Sequence, residues 1–376
     1  MKLLRISILG TRGIPARYGG FETCAEEIAT RLVKRGHKVT VYAKAGSSTG
    51  EQKRETEYKG VKIVHLPRFS NRYFDFSYYI TLSTILAACS TSDILHYFGC
   101  GRVPFTVLGR MLGKTVVLTL DGLEWERSSY PPLSRIVMRS YAELAMVLPN
   151  ATVVDSLRTQ KWYVARTGRV PIFIPYGTAI STESDKSVLE KYGLEEGKYI
   201  LFVGRLVHEK GAHTLIEAFK SVRTDMKLVI VGDFPATSEY VRSLKEMADE
   251  RTVFLGFVYG REFEVLRNGS LVYVHPSLFD GTSISLLGAL GAGRCVLSSD
   301  LQDNKEVGGD SVSYFKMGDV DDLRERLQAL LDDPGKIKSN CGKSLSRASA
   351  LFDWDKITDS YEDVYIHSLD TRKRKQ

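Results

Sequence analysis

The stretch HPSLFDGTSISLLGALGAG, residues His275 to Gly293, lies between two short apolar runs. These runs, at 270–274 and 295–297, are rich in Val and Leu, as is typical of the buried strands of a parallel sheet. Between them, apolar residues recur at helical spacing from about Ser283 to Leu290. The stretch therefore predicts a strand, a loop and a helix of an α/β fold.

The loop just before the predicted helix contains an acid and a glycine, Asp280-Gly281. Ligands of α/β sheets bind at the carboxyl ends of the strands, where free N–H groups at a helix N-terminus attract anions. A carboxylate at such a point does not resemble core packing. We therefore predict that Asp280 binds hydroxyl groups or a cation.

The composition is that of a soluble globular protein, with 43% hydrophobic and 26% charged residues among 376. This length suggests two domains of ordinary size. No apolar run approaches the roughly 20 residues that span a bilayer, and the start, MKLLRISILG, predicts a strand and not a signal peptide. Five cysteines without a C-x-x-C motif favour reduced thiols in the cytoplasm.

Positive charge is concentrated in the first half of the chain. Residues 1–180 carry 25 Lys and Arg against 13 Asp and Glu, a net +12, whereas residues 181–376 have a net −5. The basic half favours an anionic membrane surface, substrate or lipid headgroup. The sequence has no zinc-finger, helix-turn-helix or RNA-recognition signature, so we expect no nucleic-acid partner.

Aromatic residues are dense between Arg68 and Tyr79. One interpretation is that they form the edge of a core helix. The alternative is an amphipathic surface that rests on lipid or holds a sugar acceptor.

The chain opens with a strand at 4–9, a Gly-rich turn that contains Gly19-Gly20, a helix to Arg35 and a second strand from His37. The turn lacks the G-x-G-x-x-G spacing, and the second strand ends without an acid for a ribose, which argues against NAD. Two adjacent glycines let the backbone approach a bulky ligand closely, although they are also compatible with a flexible turn.

A further predicted strand at 116–120 ends at Asp121-Gly122. Polar side chains that follow a strand's carboxyl end are candidates for a site. The alternative is a turn in which the Asp side chain bonds its own backbone. His96 lies inside another predicted strand and is expected to be a hydrogen-bonded core or rim residue, while 153–156 is predicted to be the last strand of this half.

The second half begins with a predicted strand at 199–203, followed by Gly204-Arg205 and then Lys210-Gly211. A glycine-containing turn between strand and helix lets a diphosphate approach, and two cations neutralise it. The alternative is that Arg205 and Lys210 are ordinary surface cations.

The His275–Gly293 stretch resembles the signature of family 4 of the GT-B glycosyltransferases, which typically reads E-G-x-x-x-x-L-L-E-A-M-A-x-G. Asp280 and Gly281 stand at the first acid and its glycine, and the leucines fit the frame. The second acid, eight positions after the first, is replaced by Gly288.

Two further motifs resemble the same family. Gly204-Arg205 with Lys210-Gly211 matches its phosphate-binding pair, and the segment 256–259 matches the loop whose backbone reads the nucleotide base. The Gly-rich first turn and Asp121-Gly122-Leu123-Glu124-Trp125 are similar to a bacterial subgroup that contains rhamnosyltransferases. The resemblance covers nearly the whole chain.

The resemblance implies a GT-B fold, in which two Rossmann-like parallel-sheet α/β domains face each other across a cleft. Residues 1–177 are expected to form the acceptor-side domain and residues 178–352 the nucleotide-sugar-binding domain. Residues 353–376 are expected to form a helix that packs back on the first domain, followed by a basic tail.

The resemblance also implies a retaining, metal-independent glycosyltransferase whose co-substrate is a dTDP-, UDP- or GDP-linked sugar, with no other cofactor. Arg205 and Lys210 would stabilise the leaving diphosphate. Asp280 would hold hydroxyls of the donor sugar, and Asp121 would face the reacting centre. The other residues expected to contact the donor are Gly19, Gly20, Gly204, Phe257, Val258, Gly281, Thr282, Ser283, Ile284, Ser285 and Gly288.

The acceptor implied by the resemblance is a glycan or lipid-linked glycan in cell-surface polysaccharide synthesis. The protein would be cytoplasmic and peripheral at the inner face of the cell membrane.

Gly288 is the main departure from the family pattern. In relatives the Glu at this position is implied to bind the ribose hydroxyls of the donor. Glycine costs a helix about 1 kcal/mol relative to alanine, so it does not serve helix stability. Either the backbone approaches the ligand, or another group holds the ribose, or donor binding is weak. Gly288 also supports the alternative that the protein is a catalytically degenerate sugar-nucleotide-binding partner. Restoring the acid with Gly288→Glu is expected to tighten nucleotide affinity.

Overall fold

The computed structural model describes residues 3–16, 19–44, 56–67, 72–126, 131–233 and 239–374, without the side chains of 72–74. The chain forms two compact units. The first comprises Met1–Tyr176 and Trp354–Gln376, and the second comprises Gly177–Asp353.

The first unit contains a sheet of eight strands with helices between them. Its elements are, in order, β1 (Arg5–Leu9), α1 (Gly20–Lys34), β2 (Lys38–Lys44), β3 (Glu57–Tyr58), β4 (Val61–Leu66), α2 (Arg72–Cys89), β5 (Ile94–Phe98), α3 (Val103–Met111), β6 (Thr115–Leu120), α4 (Pro132–Leu144), β7 (Ala151–Val154), α5 (Leu157–Thr167) and β8 (Ile172–Phe173).

The strand order of this sheet is β3-β4-β2-β1-β5-β6-β7-β8, and every neighbouring pair is parallel except β3 with β4. The predicted strands at 4–9, 37–42, 93–98 and 116–120 are confirmed as β1, β2, β5 and β6. The prediction that 153–156 is the last strand was wrong, because β8 follows it. Both residues of β8 are exposed and the strand is too short to show an apolar period.

The second unit contains a sheet of six parallel strands. Its elements are α6 (Lys186–Lys191), β9 (Tyr199–Val203), α7 (Ala212–Lys220), β10 (Lys227–Val231), α8 (Glu239–Met247), β11 (Thr252–Gly256), α9 (Gly260–Asn268), β12 (Val272–His275), α10 (Ile284–Gly291), β13 (Cys295–Ser299), α11 (Gln302–Gly308), β14 (Ser313–Phe315), α12 (Val320–Leu331) and α13 (Pro334–Leu351).

The strand order of the second sheet is β11-β10-β9-β12-β13-β14, so the winding direction reverses between β9 and β12. In open α/β sheets such a reversal opens a crevice at the carboxyl ends of the two strands, where ligands bind. The strand, loop and helix predicted from His275–Gly293 are confirmed as β12, its following loop and α10. The quoted stretch therefore lies at the switch point of this sheet.

The chain ends with α14 (Trp354–Lys373), which belongs to the first unit. Tyr361 and Tyr365 of this helix are buried and lie beside His96 of β5. The His96 Nδ1 is 2.8 Å from the Tyr365 hydroxyl, and its Nε2 is 2.8 Å from Thr119 Oγ1. His96 is thus the hydrogen-bonded core histidine that was predicted.

None of the helices in the described ranges is both long enough and apolar enough to cross a bilayer.

Candidate active site

The loops that follow β9 and β12 are joined to each other at the switch point. The N–H groups of Leu278 and Phe279 donate to the carbonyl oxygen of Glu209 at 2.8 and 3.3 Å. Gly211 has a φ of 69°, and a Cβ there would overlap the carbonyl of Pro276. The glycine is therefore required by both its backbone conformation and the close approach of the second loop.

The two loops bring Lys210 and Asp280 into contact. Lys210 Nζ is 2.7 Å from Asp280 Oδ2. The same carboxylate oxygen accepts hydrogen bonds from His275 Nε2 at 3.0 Å and from Ser277 Oγ at 3.1 Å. Two residues that the sequence predicted separately, Lys210 and Asp280, thus form one largely buried cluster with two that it missed, His275 and Ser277.

The protonation states of this cluster follow from its surroundings. Burial alone would raise the pKa of Asp280, but the Lys210 ammonium and the His275 hydrogen bond outweigh it and hold that pKa well below its usual range. Burial lowers the pKa of His275, and Asp280 only partly offsets this. At neutral pH Asp280 is therefore a carboxylate, and His275 is a neutral imidazole that donates from Nε2.

Arg205 differs from Lys210 although both lie in the loop after β9. Its side chain is exposed, and within the described ranges it has no hydrogen bond or ion pair. Lys210 already has a carboxylate partner, whereas the Arg205 guanidinium is available to an anion from solution. The two cations predicted as an equivalent pair therefore have unequal roles in the free protein.

The first turn of α10 faces the same loop. Ser283 is the N-cap, and its Oγ accepts from the N–H of Leu286 at 3.5 Å and lies 3.1 Å from Ser285 Oγ. The N–H groups of Ile284 and Ser285 have no acceptor among the residues the structure describes, as is usual in a first helical turn. These residues and the preceding Gly281 and Thr282 form the predicted donor-binding segment, which directly follows Asp280 in the chain.

The predicted base-reading loop follows β11. Phe257 and Tyr259 are about half exposed, and their rings stack at 5.8 Å between centroids. Beside this loop, the N–H of Gly232 donates to the carbonyl of Gly256 at 2.8 Å, and a Cβ on Gly232 would overlap the carbonyl of Gly204. The carboxyl ends of β9, β10 and β11 therefore adjoin one another.

Gly288 lies in the second turn of α10 and is buried. A Cβ built there would be 2.8 Å from Nη1 of Arg267, a residue of α9 that the sequence analysis did not identify. Its only sequence signal was a basic residue in the helix that follows the base-reading loop.

In the first unit, the predicted residues lie at the carboxyl ends of β1 and β6. Asp121 is half-buried, and the N–H of the next residue, Gly122, donates to Asp155 Oδ1 at 3.0 Å. The turn is thus held by the carboxylate that follows β7, which was not predicted. Asp121 and Asp155 both raise the pKa of the buried Tyr176, although burial is the larger cause.

The glycine pair before α1 has a structural explanation of its own. Gly19 has a φ of 107°, and a Cβ on Gly20 would be 3.1 Å from the ring of Tyr176. Glu22 of α1 accepts from the N–H of Arg12 at 3.0 Å, and Glu26 accepts from that of Ala16 at 2.6 Å. Two acids that the sequence analysis missed therefore fix the loop.

The aromatic run from Arg68 lies partly outside the described residues. Within the described part, Tyr79 is buried and its hydroxyl donates to the carbonyls of Tyr42 at 2.6 Å and Thr11 at 3.0 Å. The Arg102 guanidinium lies 4.8 Å from the ring of Phe76. These contacts favour the core-helix interpretation of this segment.

Within the described ranges no three His, Cys, Asp or Glu side chains cluster as a metal site. Metal-independence remains a prediction.

Two protein-family models match this chain. The model described as "Glycosyltransferase Family 4" matches residues 18–173, and the model described as "Glycosyl transferases group 1" matches residues 185–346.

Several characterised proteins are similar in sequence. Alpha-maltose-1-phosphate synthase of Mycobacterium tuberculosis is 28% identical over 58% of this chain and 57% of its own length. Spore coat protein SA of Bacillus subtilis is 22% identical over 96% of this chain and 99% of that protein. N-acetylgalactosamine-N,N'-diacetylbacillosaminyl-diphospho-undecaprenol 4-alpha-N-acetylgalactosaminyltransferase of Campylobacter jejuni is 30% identical over 46% of this chain and 47% of its own length. The chain thus spans less than two thirds of the synthase and of the Campylobacter enzyme.

Solved structures share the fold. Sucrose-phosphate synthase of Thermosynechococcus elongatus superposes with a TM-score of 0.81 at 17% identity, covering 97% of this chain and 98% of that one. HepE of Anabaena, solved with UDP and glucose, gives 0.79 at 16% identity over 96% and 99%. The predicted fold class, two parallel-sheet α/β domains of the GT-B kind, is confirmed.

Proposed function

Because the chain belongs in both of its domains to the family 4 and group 1 glycosyltransferases, we propose that it transfers a sugar from a nucleotide-diphosphate sugar to a glycan or lipid-linked acceptor. The observation that carries the proposal is the cluster of Lys210, Asp280 and His275 at the switch point of the second sheet. It combines a cation, a carboxylate and free helix N–H groups in the place where an α/β sheet binds phosphorylated ligands.

Arg205 supplies the main positive charge for the donor diphosphate, because its guanidinium has no partner within the described part of the chain. Charge develops on the leaving diphosphate as the glycosidic bond breaks, so a cation placed there stabilises the transition state more than the ground state. Lys210 adds a second positive charge, and Asp280 holds it in position.

The donor sugar is bound by Asp280 and by the N–H groups of the first turn of α10. Three donors already converge on Asp280 Oδ2, so its other oxygen is the one that accepts from sugar hydroxyls. Asp121 of the first unit is proposed as a further residue of the reaction, as the family resemblance implies. We further propose retention of anomeric configuration and a role in cell-surface polysaccharide synthesis, as in the subgroup that contains rhamnosyltransferases.

The test is a panel of dTDP-, UDP- and GDP-linked sugars, with transfer and hydrolysis of the donor measured against a glycan and a lipid-linked glycan. One donor should be consumed, and Arg205→Ala should slow its consumption by about tenfold or more, since a hydrogen bond to a charged group contributes roughly 1.5–3 kcal/mol. Lys343→Ala, which removes an exposed cation from α13, is the matched control and should leave the rate unchanged. No turnover or hydrolysis with any donor would reject the enzymatic proposal.

A second candidate function rests on Gly288. The ribose-binding acid of relatives is absent there, and a buried arginine lies against the position. A catalytically degenerate partner protein would bind a nucleoside diphosphate without consuming the sugar donor. The same panel, combined with calorimetry, separates this outcome from catalysis.

We also propose that the protein is cytoplasmic and peripheral at the inner face of the cell membrane, with the first unit in contact with the lipid. The support is the net charge of +12 in residues 1–180 and the exposed face of α4, formed by Leu133, Ile136, Val137 and Leu144. This face replaces the aromatic run as the proposed contact, because Tyr79 of that run is buried and Phe76 contacts Arg102.

A further inference from the structure

The side chain of Arg267 lies across α10 at Gly288. A Cβ at Gly288 would be 2.8 Å from Arg267 Nη1, 3.5 Å from its Cδ and 3.6 Å from its Cζ. Any side chain at position 288 would have to displace the guanidinium. The absence of an acid at position 288 therefore allows Arg267 to occupy this place.

The guanidinium is poorly satisfied by the protein. Arg267 is only 8% exposed, and its Nε and Nη2 have no hydrogen-bond acceptor among the described residues. Its Cζ lies 5.6 Å from the centroid of the Phe263 ring, which is a cation–π contact. Burying a cation without acceptors is costly, and folded proteins rarely leave one so, which points to an acceptor supplied by a ligand.

The direction of the side chain places the guanidinium toward the ligand end of the sheet. Helical side chains point toward the N-terminus of their helix, and the contact with Phe263, one turn earlier, fits this direction. The N-terminus of α9 directly follows the loop Phe257–Tyr259. Arg267 therefore extends from the far end of α9 toward the predicted base-reading loop.

The same guanidinium is linked to the Lys210–Asp280 cluster. Tyr273 of β12 is close enough to interact electrostatically with both Arg267 and Asp280. Its ring stacks on His275, with 6.2 Å between centroids. Tyr273 thus connects the guanidinium to the cluster proposed to bind the sugar and diphosphate.

We propose that Arg267 binds the ribose oxygens of the donor nucleotide, in place of the acid that relatives carry at the position of Gly288. This assignment rests on the proposed function. A carboxylate accepts hydrogen bonds from ribose hydroxyls, whereas a guanidinium only donates them, so the hydrogen bonds run in the opposite direction. The residue thereby determines nucleotide specificity, and glycine at 288 leaves room for it.

The arrangement reverses the result expected for Gly288→Glu. The new carboxylate would lie beside the Arg267 guanidinium and form an ion pair with it. The arginine would then no longer be available to the ribose, and nucleotide affinity would fall. Gly288→Glu combined with Arg267→Met restores an acid without that partner and should recover affinity.

The test measures how strongly each protein discriminates between nucleotides that differ by one ribose hydroxyl. Calorimetry would compare UDP with 2′-deoxy-UDP and 3′-deoxy-UDP, and GDP with its two deoxy analogues. The wild-type protein should lose about tenfold or more in affinity for at least one deoxy analogue. Arg267→Met should bind the hydroxylated and deoxy forms equally. Arg267→Lys keeps the charge but not the planar fork, and it should lose most of the discrimination.

Arg294→Met is the matched control, since Arg294 is a nearby half-buried arginine that donates to the carbonyls of Ala292 and Ser270. It should preserve discrimination even if it lowers stability. A well-folded Arg267→Met or Arg267→Lys protein with wild-type discrimination would overturn the assignment of Arg267 while leaving the proposed function intact. Failure of the wild-type protein to bind any of these nucleotides, or dTDP, would instead reject the proposed function and the assignment together.

Discussion

Lys210 and Arg205 show how one loop gives two cations different tasks. Lys210 Nζ is bound to the largely buried carboxylate of Asp280, whereas the Arg205 guanidinium projects into solvent. Removing one member of a buried ion pair leaves the other charge without compensation, and this costs several kcal/mol. Removing an exposed charge has little effect on stability.

The two residues should therefore separate binding from stability. Lys210→Met should lower the free energy of unfolding by about 3–5 kcal/mol because Asp280 loses its ammonium partner. Arg205→Ala should change it by less than about 0.5 kcal/mol while weakening diphosphate binding. Urea unfolding of both variants checks this, and Lys210→Met/Asp280→Asn should regain part of the loss. Equal stability of the two single variants would contradict the ion-pair assignment.

His96 provides a pH-dependent contribution at the same scale. It is fully buried, and burial lowers its pKa to about 3 from the 6.5 of an exposed histidine. The unfolded chain therefore binds one more proton than the folded protein between these pH values. Above pH 6.5 the neutral His96 does not lower the free energy of unfolding. As the pH drops from 6.5 toward 3, the free energy of unfolding falls because the unfolded chain binds the extra proton.

His96 should thus contribute a slope of up to about 1.4 kcal/mol per pH unit to the loss of stability below pH 6.5. The variant His96→Gln cannot titrate, so its stability should fall less steeply over this range even if it is less stable at pH 7. Denaturant titrations at pH 7, 6, 5 and 4 measure the difference in slope. Parallel curves for the two proteins would show that His96 does not stay neutral.

At the scale of elements, glycines on two sides of α10 allow neighbouring residues to pack closely against this helix. Gly288 accommodates Arg267, and Gly291 lies against the backbone of Ala179 and the side chain of Thr178. Leu286, Leu287 and Leu290 are completely buried, so the helix cannot shift to relieve a new contact.

A single methyl group at Gly291 should therefore destabilise the second unit. Gly291→Ala would press its Cβ into the Ala179 carbonyl, and we expect a loss of about 1–3 kcal/mol in the free energy of unfolding. Gly342→Ala is the matched control in α13, where a Cβ meets nothing within 4 Å. It should stabilise by up to about 1 kcal/mol through helix propensity. Thermal or denaturant unfolding that gave both variants the same sign would contradict this packing.

At the scale of the whole molecule, charge and exposed apolar surface coincide in the first unit. Leu133 and Ile136 of α4 are 72% and 65% exposed, and Val137 and Leu144 continue the same face. Arg135 and Arg139 belong to the same helix. An exposed apolar stripe on a helix that also carries arginines suits an anionic lipid surface.

The protein should bind vesicles that contain phosphatidylglycerol. Binding should weaken as the salt concentration rises, because the Debye length falls from about 30 Å at 0.01 M to about 8 Å at 0.15 M ionic strength. Leu133→Ser/Ile136→Ser should weaken binding by about tenfold or more because two apolar side chains no longer enter the lipid. Leu351→Ser, an exposed apolar residue of the second unit, is the control in cosedimentation. Vesicle binding that does not respond to the α4 changes would reject this surface.

Much of the fold could be read from local patterns. The parallel strands β1, β5, β6, β9 and β12 are almost entirely buried, so their sequences are mostly apolar and are visible without tertiary information. Short edge elements such as β3 and β8 gave no signal, because a two-residue strand has no period.

The sequence by itself also determined where the candidate site is predicted, because the carboxyl ends of parallel strands collect polar residues that a core would not tolerate. This rule predicts Arg205, Lys210, Asp280 and the turn at Asp121 as site residues. Only the tertiary structure decided which of them act together. Lys210 meets Asp280 across 70 positions, and Arg267 occupies the space at Gly288 from a different helix. Such contacts depend on how loops and helices pack in three dimensions, and residue spacing along the chain carries no record of that packing.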